Sequence, residues 1–186
     1  MLVKQKVAGI IMLAREITSE LAQVLQQLTV PVLMLGQHLQ GVHSIVHDDY
    51  RAGEKLAEYA IELGHRSFLF IGVTEKDEAV GILRKKGFTD VVAQMEGTKL
   101  SFIETSFSRS ETYQKARLFL KENQATYLAC ATDNIAVAVL KAAHELGLRV
   151  PEDFSLSGFG GYDSTDYVFP TITTTHYPYH QLGVDA

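Results

Sequence analysis

The chain has 186 residues, enough for one good core or two small ones; its 46% hydrophobic and 21% charged residues exclude a disordered chain. A net charge of −5, with no basic run longer than Lys85–Lys86, excludes a nucleic-acid face within this stretch. No apolar run approaches the ~20 residues that span a bilayer, and the single cysteine, Cys130, rules out an intrachain disulfide or a Cys-based metal site. A cytoplasmic protein with no membrane partner is expected.

The opening MLVKQKVAGIIMLARE places two lysines before an apolar run, but Arg15 and Glu16 follow at once, so Val7–Leu13 reads as a strand covered on both faces rather than a secretion signal. Thr18 or Ser19 caps a helix to about Leu28, with Leu21, Val24, Leu25 and Leu28 on one face. Strands are expected at Val32–Leu35 and Ser44–His47. A helix from Tyr50 to Leu63 turns Ala52, Leu56, Tyr59, Ala60 and Leu63 inward and stops at Gly64. Ser67–Gly72 is a strand, and Glu78–Met95 a long helical region carrying Arg84 and interrupted or kinked at Gly87. Ser101–Glu104 is a strand, and Ser110 caps a helix to about Glu122, with Tyr113, Ala116, Arg117 and Leu120 in register. Tyr127–Ala131, helix Asn134–Leu146, Gly147 and strand Phe154–Gly158 form one right-handed βαβ unit. Pro170–Thr175 is an extended crossing segment, and Pro178 opens a last helix. Strict alternation of strands and helices gives a parallel α/β architecture.

In parallel sheets, ligands bind beyond the carboxyl ends of the strands. Those ends carry Asp48 and Asp49, Val73 and Thr74, Thr132 and Asp133, and Gly160–Gly161–Tyr162–Asp163. Asp49 and Asp133 suit hydroxyl recognition, but each directly precedes a helix and equally suits an N-cap; both readings stay open. Arg84, beside Ile82, Leu83 and Phe88, can aim a planar fork of donors at hydroxyls or a carboxylate, or be an ordinary surface cation. Phe107 can stack on a sugar face or plug the core. The seven histidines show no HExxH or HxH spacing, so no metal is expected, and no nucleophile–base pair, P-loop or dinucleotide fingerprint is present; no enzyme chemistry and no cofactor are expected.

VHDDYRAGEKLAEYAIELGHRSFLFIG, RKKGF, ATDNIAVAVLKAAHELGLRVPEDFSLSGFGGYD and PTITTTHYPYHQLGVDA resemble, in order and spacing, successive blocks of the LacI/GalR family of transcriptional regulators. SGFGGYD in particular resembles the sucrose operon repressors of Gram-positive bacteria. The resemblance implies an α/β, periplasmic-binding-protein-like fold of two doubly wound parallel-sheet lobes with an interlobe ligand cleft. It assigns residues 1–63 plus 178–186 to an N-terminal lobe and 64–177 to a C-terminal lobe. It also implies that the chain is truncated at both ends, without the helix-turn-helix DNA-binding domain. Asp49, Arg84, Phe107 and Asp133 match effector-binding positions. Thr132 stands where Asn is common, and Gly160 where the family often has an Asp that binds sugar hydroxyls, with Tyr162 or Asp163 as substitutes. The implied function is a sugar- or sugar-phosphate-responsive regulatory domain of a repressor that binds operator DNA and works as a homodimer, with helix 134–146 and Tyr167–Phe169 as contacts. The alternative is a sugar-binding protein of a transporter, which shares the fold.

Overall fold

A computed structural model describes residues 6–186, so the first five residues of the opening stretch lie outside the described residues. The chain forms two compact units, one running up to Asp48 and resuming at Pro178–Ala186, the other spanning Asp49–Tyr177.

In the smaller unit, β1 (Ile10–Leu13), β2 (Val32–Leu35) and β3 (His43–Ile45) form a parallel sheet in the order β1-β2-β3, with Ile10 opposite Val32 and Leu33 opposite His43. Helix α1 (Ser19–Gln26) starts at Thr18, whose hydroxyl accepts from the Leu21 amide at 3.2 Å. Its Leu25 packs with Val32 and Met34. The expected cover on both faces of the first strand is not found: Ile11 and Leu13 are 63% and 78% exposed. Strand periodicity turns them to the side opposite the Leu25–Met34 cluster.

The larger unit begins with α2 (Asp49–Glu62), followed by β4 (Ser67–Gly72), a π-helical stretch (Glu78–Leu83) that runs into α3 (Arg84–Ala93), β5 (Lys99–Glu104), α4 (Arg109–Phe119), β6 (Tyr127–Cys130), α5 (Asp133–Glu145), β7 (Ser155–Gly160), a 3-10 turn (Asp163–Thr165) and β8 (Thr173–His176). The chain then returns to the smaller unit through α6 (Tyr179–Asp185). All five strands are parallel, in the order β5-β4-β6-β7-β8. From β4 the chain winds first to β5 on one side and then to β6 on the other, so the winding reverses between β4 and β6. That reversal is the topological switch point at which open α/β sheets hold ligands.

The core of this unit is a continuous cluster that includes Phe68, Phe70, Phe88, Tyr127, Leu128, Ile135 and Phe159. Phe88 meets Phe68 edge-on with ring centroids 5.8 Å apart and Phe70 at 5.6 Å. Cys130 is a buried free thiol whose pKa burial pushes well above the ordinary cysteine value, as expected of an inert core residue.

Three expectations need correction. The inward face of α2 is Asp49, Ala52, Gly53, Leu56, Ala57 and Ala60, while Tyr59 and Leu63 are 44% and 55% exposed. Gly87 does not interrupt a helix; it lies inside α3, and the irregularity is the π-helical stretch before it. Both differences have one cause. Gly53 and Gly87 let the backbones of α2 and α3 touch: a Cβ on Gly87 would lie 2.0 Å from the Tyr50 carbonyl oxygen, and one on Gly53 2.3 Å from that of Arg84. The two compact units divide at Asp48/Asp49, with α2 and α3 together in the larger one. Lastly, Ser108 and not Ser110 caps α4, accepting from the Glu111 amide at 3.3 Å.

Candidate functional site

The strand that precedes each loop at the carboxyl edge of the five-stranded sheet decides what that loop presents. At the switch point, the chain leaves β6 through Ala131 and Thr132. Thr132 is the N-cap of α5, its hydroxyl accepting from the Ile135 amide at 3.3 Å. Asp133, the first helical residue, is therefore released from the capping role that its position suggested. Its fully buried carboxylate instead accepts from Thr174 Oγ1 at 2.6 Å and from the Tyr162 amide at 2.8 Å. Thr174 in turn accepts from the Gly161 amide at 3.2 Å. Asp133 thus pins the loop after β7 to Thr174 of β8.

The glycines of that loop make the arrangement possible. A Cβ on Gly158 would lie 2.3 Å from Asp133 Oδ1, and one on Gly161 2.4 Å from His176 Nδ1. Gly160, with φ +132, is buried at the end of β7, and the 42%-exposed Tyr162 follows it.

Arg84 reaches the same edge from the start of α3. Its guanidinium is 8% exposed, and Nε donates to Asp49 Oδ1 at 2.7 Å while Nη1 donates to the Ala131 carbonyl at 2.7 Å. It lies 5.4 Å from the centroid of the Phe159 ring and 5.2 Å from that of Tyr177. Nη2 has no protein partner among the described residues. Burial works against the charge, but the electrostatics of Tyr177 and Asp49, the Asp49 hydrogen bond and nearby Asp77 outweigh it, so Arg84 sits above the ordinary arginine range. Arg84 is positioned by what precedes it. Asp77 caps the π-helical stretch, accepting from the Val80 amide at 2.9 Å, and Gly81 presses so close to Thr74 that a Cβ would lie 2.1 Å from its carbonyl oxygen. Such π-helical departures recur at functional sites.

Asp49, at 2% exposure, is committed to Arg84 and to Tyr177, whose hydroxyl donates to Oδ1 at 2.8 Å. Phe107 lies in the loop after β5, half-buried against the core. That loop is fixed by Thr105 and Thr112, whose hydroxyls lie 3.0 Å apart, and by the Thr112 hydroxyl donating to the Ser106 carbonyl at 3.2 Å.

The structure therefore brings Asp49 and Arg84 into direct contact, joins Asp133 to the Gly160–Tyr162 loop, and leaves Phe107 on its own loop at the same edge. Sequence reasoning missed Tyr177 and Thr174. Tyr177 sits just beyond the end of β8, where the strand-end rule directs attention, and Thr174 lies within that strand; PTITTTHYPYH reads as a crossing segment and so hides a strand. Among the described residues no cluster of His, Cys, Asp or Glu is arranged to hold a metal, and no helix is long and apolar enough to cross a membrane.

The chain is 35% identical over 187 residues to the sucrose operon repressor of Staphylococcus xylosus, a match covering 97% of this chain and 56% of that protein. It is 29% identical over 194 residues to the HTH-type transcriptional repressor PurR of Pectobacterium carotovorum, covering all of this chain and again 56% of that one. The chain thus spans about half the length of the curated relatives it matches. A crystal structure of a LacI family transcriptional regulator from Enterococcus faecium with bound ribose is similar at a TM-score of 0.87 and 26% identity, over 98% of this chain and 69% of that one. Residues 57–186 match the periplasmic binding protein-like domain, and the chain belongs to that family, in the form carried by LacI-family transcriptional regulators.

Proposed function

We propose that this chain is the effector-binding part of a LacI-type repressor of sugar utilisation genes, and that it holds a small saccharide or sugar phosphate at the carboxyl edge of the five-stranded sheet. The observation that carries this reading is Arg84: a buried, charged guanidinium at the switch point with one nitrogen unclaimed by any described residue. A guanidinium so held is a preorganised donor for hydroxyl or phosphate oxygens. Phe107 supplies a ring for the sugar face, and Thr132 and Tyr162 supply hydroxyls on neighbouring loops. Asp49 acts by holding Arg84. Asp133 and Gly160 act by shaping the loop that carries Tyr162.

The curated relatives are named as repressors, which supports a binding role over a catalytic one. Their likeness also supports operator DNA binding through a helix-turn-helix outside these 186 residues, action as a homodimer, and a cytoplasmic location. A ribose-bound neighbour of the same fold supports a saccharide as the ligand class. Regulation requires that the ligand bind two conformations with different affinity, since equal affinity shifts nothing.

Titration calorimetry of the protein with sucrose, fructose, ribose and their phosphates tests the reading. Saturable heat with at least one of them, lost in Arg84→Met, is the expected result. Absence of heat with every saccharide overturns it.

A further inference from the structure

The chain passes between its two units at Asp48/Asp49 and again at Tyr177/Pro178. The residues flanking these two passages are in contact within each unit. In the larger unit the Tyr177 hydroxyl donates to Asp49 Oδ1 at 2.8 Å. In the smaller unit, His47 and Tyr179 meet edge to face with ring centroids 5.9 Å apart. Within the larger unit the first and last residues of its chain are therefore in contact, although 128 residues separate Asp49 from Tyr177 in sequence.

Arg84 joins them. Its Nε donates to the same Asp49 oxygen that accepts from Tyr177, and its guanidinium lies 5.2 Å from the centre of the Tyr177 ring. One buried cation thus holds the first residue after one passage and the last residue before the other, and Nη1 ties it to the Ala131 carbonyl at the end of β6. Tyr177 contributes through both its ring and its hydroxyl. The ring gives the guanidinium a flat surface, and the hydroxyl orients the carboxylate that orients Nε.

We propose that Tyr177 is the positioning residue of the ligand site, and that the Asp49–Arg84–Tyr177 cluster couples ligand contact at Arg84 to the two ends of the larger unit's chain, at Asp49 and Tyr177. This inference rests on Arg84 being the ligand contact. A ligand on Nη2 draws the guanidinium toward itself; Asp49 and Tyr177, bound to the other side of the same group, must then hold or shift together. Without the Tyr177 hydroxyl, Asp49 keeps Arg84 but loses its tie to the second passage.

The test is Tyr177→Phe, which keeps the ring and removes only the hydroxyl, with Tyr167→Phe at an 87%-exposed tyrosine as control. Amide hydrogen exchange is measured at residues 46–49 and 176–177, with and without whichever of sucrose, fructose, ribose or their phosphates gives the largest heat. In the unliganded protein, Y177F is expected to exchange faster than native at both segments, and Y167F to match native. With ligand, native protein is expected to slow exchange at both segments. Y177F is expected to bind roughly tenfold more weakly, equivalent to about 1.4 kcal/mol, and to lose that slowing even at saturation. A residue that merely stabilised the fold would weaken neither the affinity nor the ligand-induced slowing at saturation. Native exchange at both segments in unliganded Y177F overturns the inference. Failure of native protein to bind any saccharide overturns the ligand reading instead, and the unliganded comparison still decides the role of Tyr177. If Y177F does not fold, Asp49→Asn removes the charge that Arg84 and Tyr177 share at nearly constant shape, with the same outcomes expected and the same outcome overturning.

Discussion

In the larger unit all four residues of β6 and the last five of β4 are buried, whereas in the smaller unit β1 alternates, with Ile11 and Leu13 largely exposed. The stretches IIML and YLAC are equally apolar in sequence. What separates them is what covers their faces. β6 sits in the middle of five strands with α2, α3 and α5 contributing to its core, while among the described residues the packed side of the three-stranded sheet rests on a cluster of three buried hydrophobics, Leu25, Val32 and Met34. The difference teaches that an apolar run reports a strand but not how many of its faces are covered.

The largest expected effect is on the side of the big core. Phe88→Ala, at a fully buried ring in contact with Phe68 and Phe70, is expected to cost about 3–5 kcal/mol in urea unfolding followed by signals from the larger unit. A cost below about 1 kcal/mol would mean that this core is looser than its packing indicates.

A smaller effect is expected at the amino edge of the same sheet. His65 Nδ1 lies 2.9 Å from Thr126 Oγ1 and Nε2 3.0 Å from Ser155 Oγ, which joins the starts of β6 and β7. Partial burial pushes the His65 pKa below the ordinary histidine value. The unfolded chain then binds a proton more readily than the folded one. The stability from neutral His65 is present above the unfolded value of about 6.5 and is lost as pH falls through the lower folded value. Urea midpoints across a pH series should fall in that window for native protein and fall less for His65→Gln; identical slopes would remove His65 from the account.

The smallest effect belongs to the open sheet. Leu13→Ser, at a residue 78% exposed, is expected to change the unfolding free energy by no more than about 0.5 kcal/mol. A cost comparable to that of Phe88→Ala would erase the contrast between the two sheets.

Much of this arrangement was legible in the chain. The alternation of strands and helices, the caps at Thr18 and the stops at Gly64 and Gly147 depend on local chemistry, and local chemistry is what a sequence displays. Asp49 was legible as a candidate for the same reason, at a strand end, and Arg84 by its apolar neighbours and its RKKGF block inside an expected helical region. The contact between them was not, because 35 residues separate them and nothing local marks the pair. Gly87 reads as a breaker because glycine is costly inside a helix; only the approach of α2 shows that its missing side chain is what the packing needs. Asp133 reads as a cap by position, yet the neighbouring Thr132 takes that role and frees the carboxylate for a partner 41 residues away.

Gly160 also sets a limit for anyone who would re-engineer ligand preference here. Installing the acid that similar regulators often carry at this position looks like the shortest route to a new sugar. Yet φ is +132, and a Cβ would sit 3.1 Å from Asp133 Oδ2 and 3.2 Å from the Tyr162 ring. A second carboxylate would be strained and set against a buried like charge. Selection for altered specificity should therefore spare position 160 and vary the side chains at Phe107, Thr132 and Tyr162, where the backbone imposes no such veto.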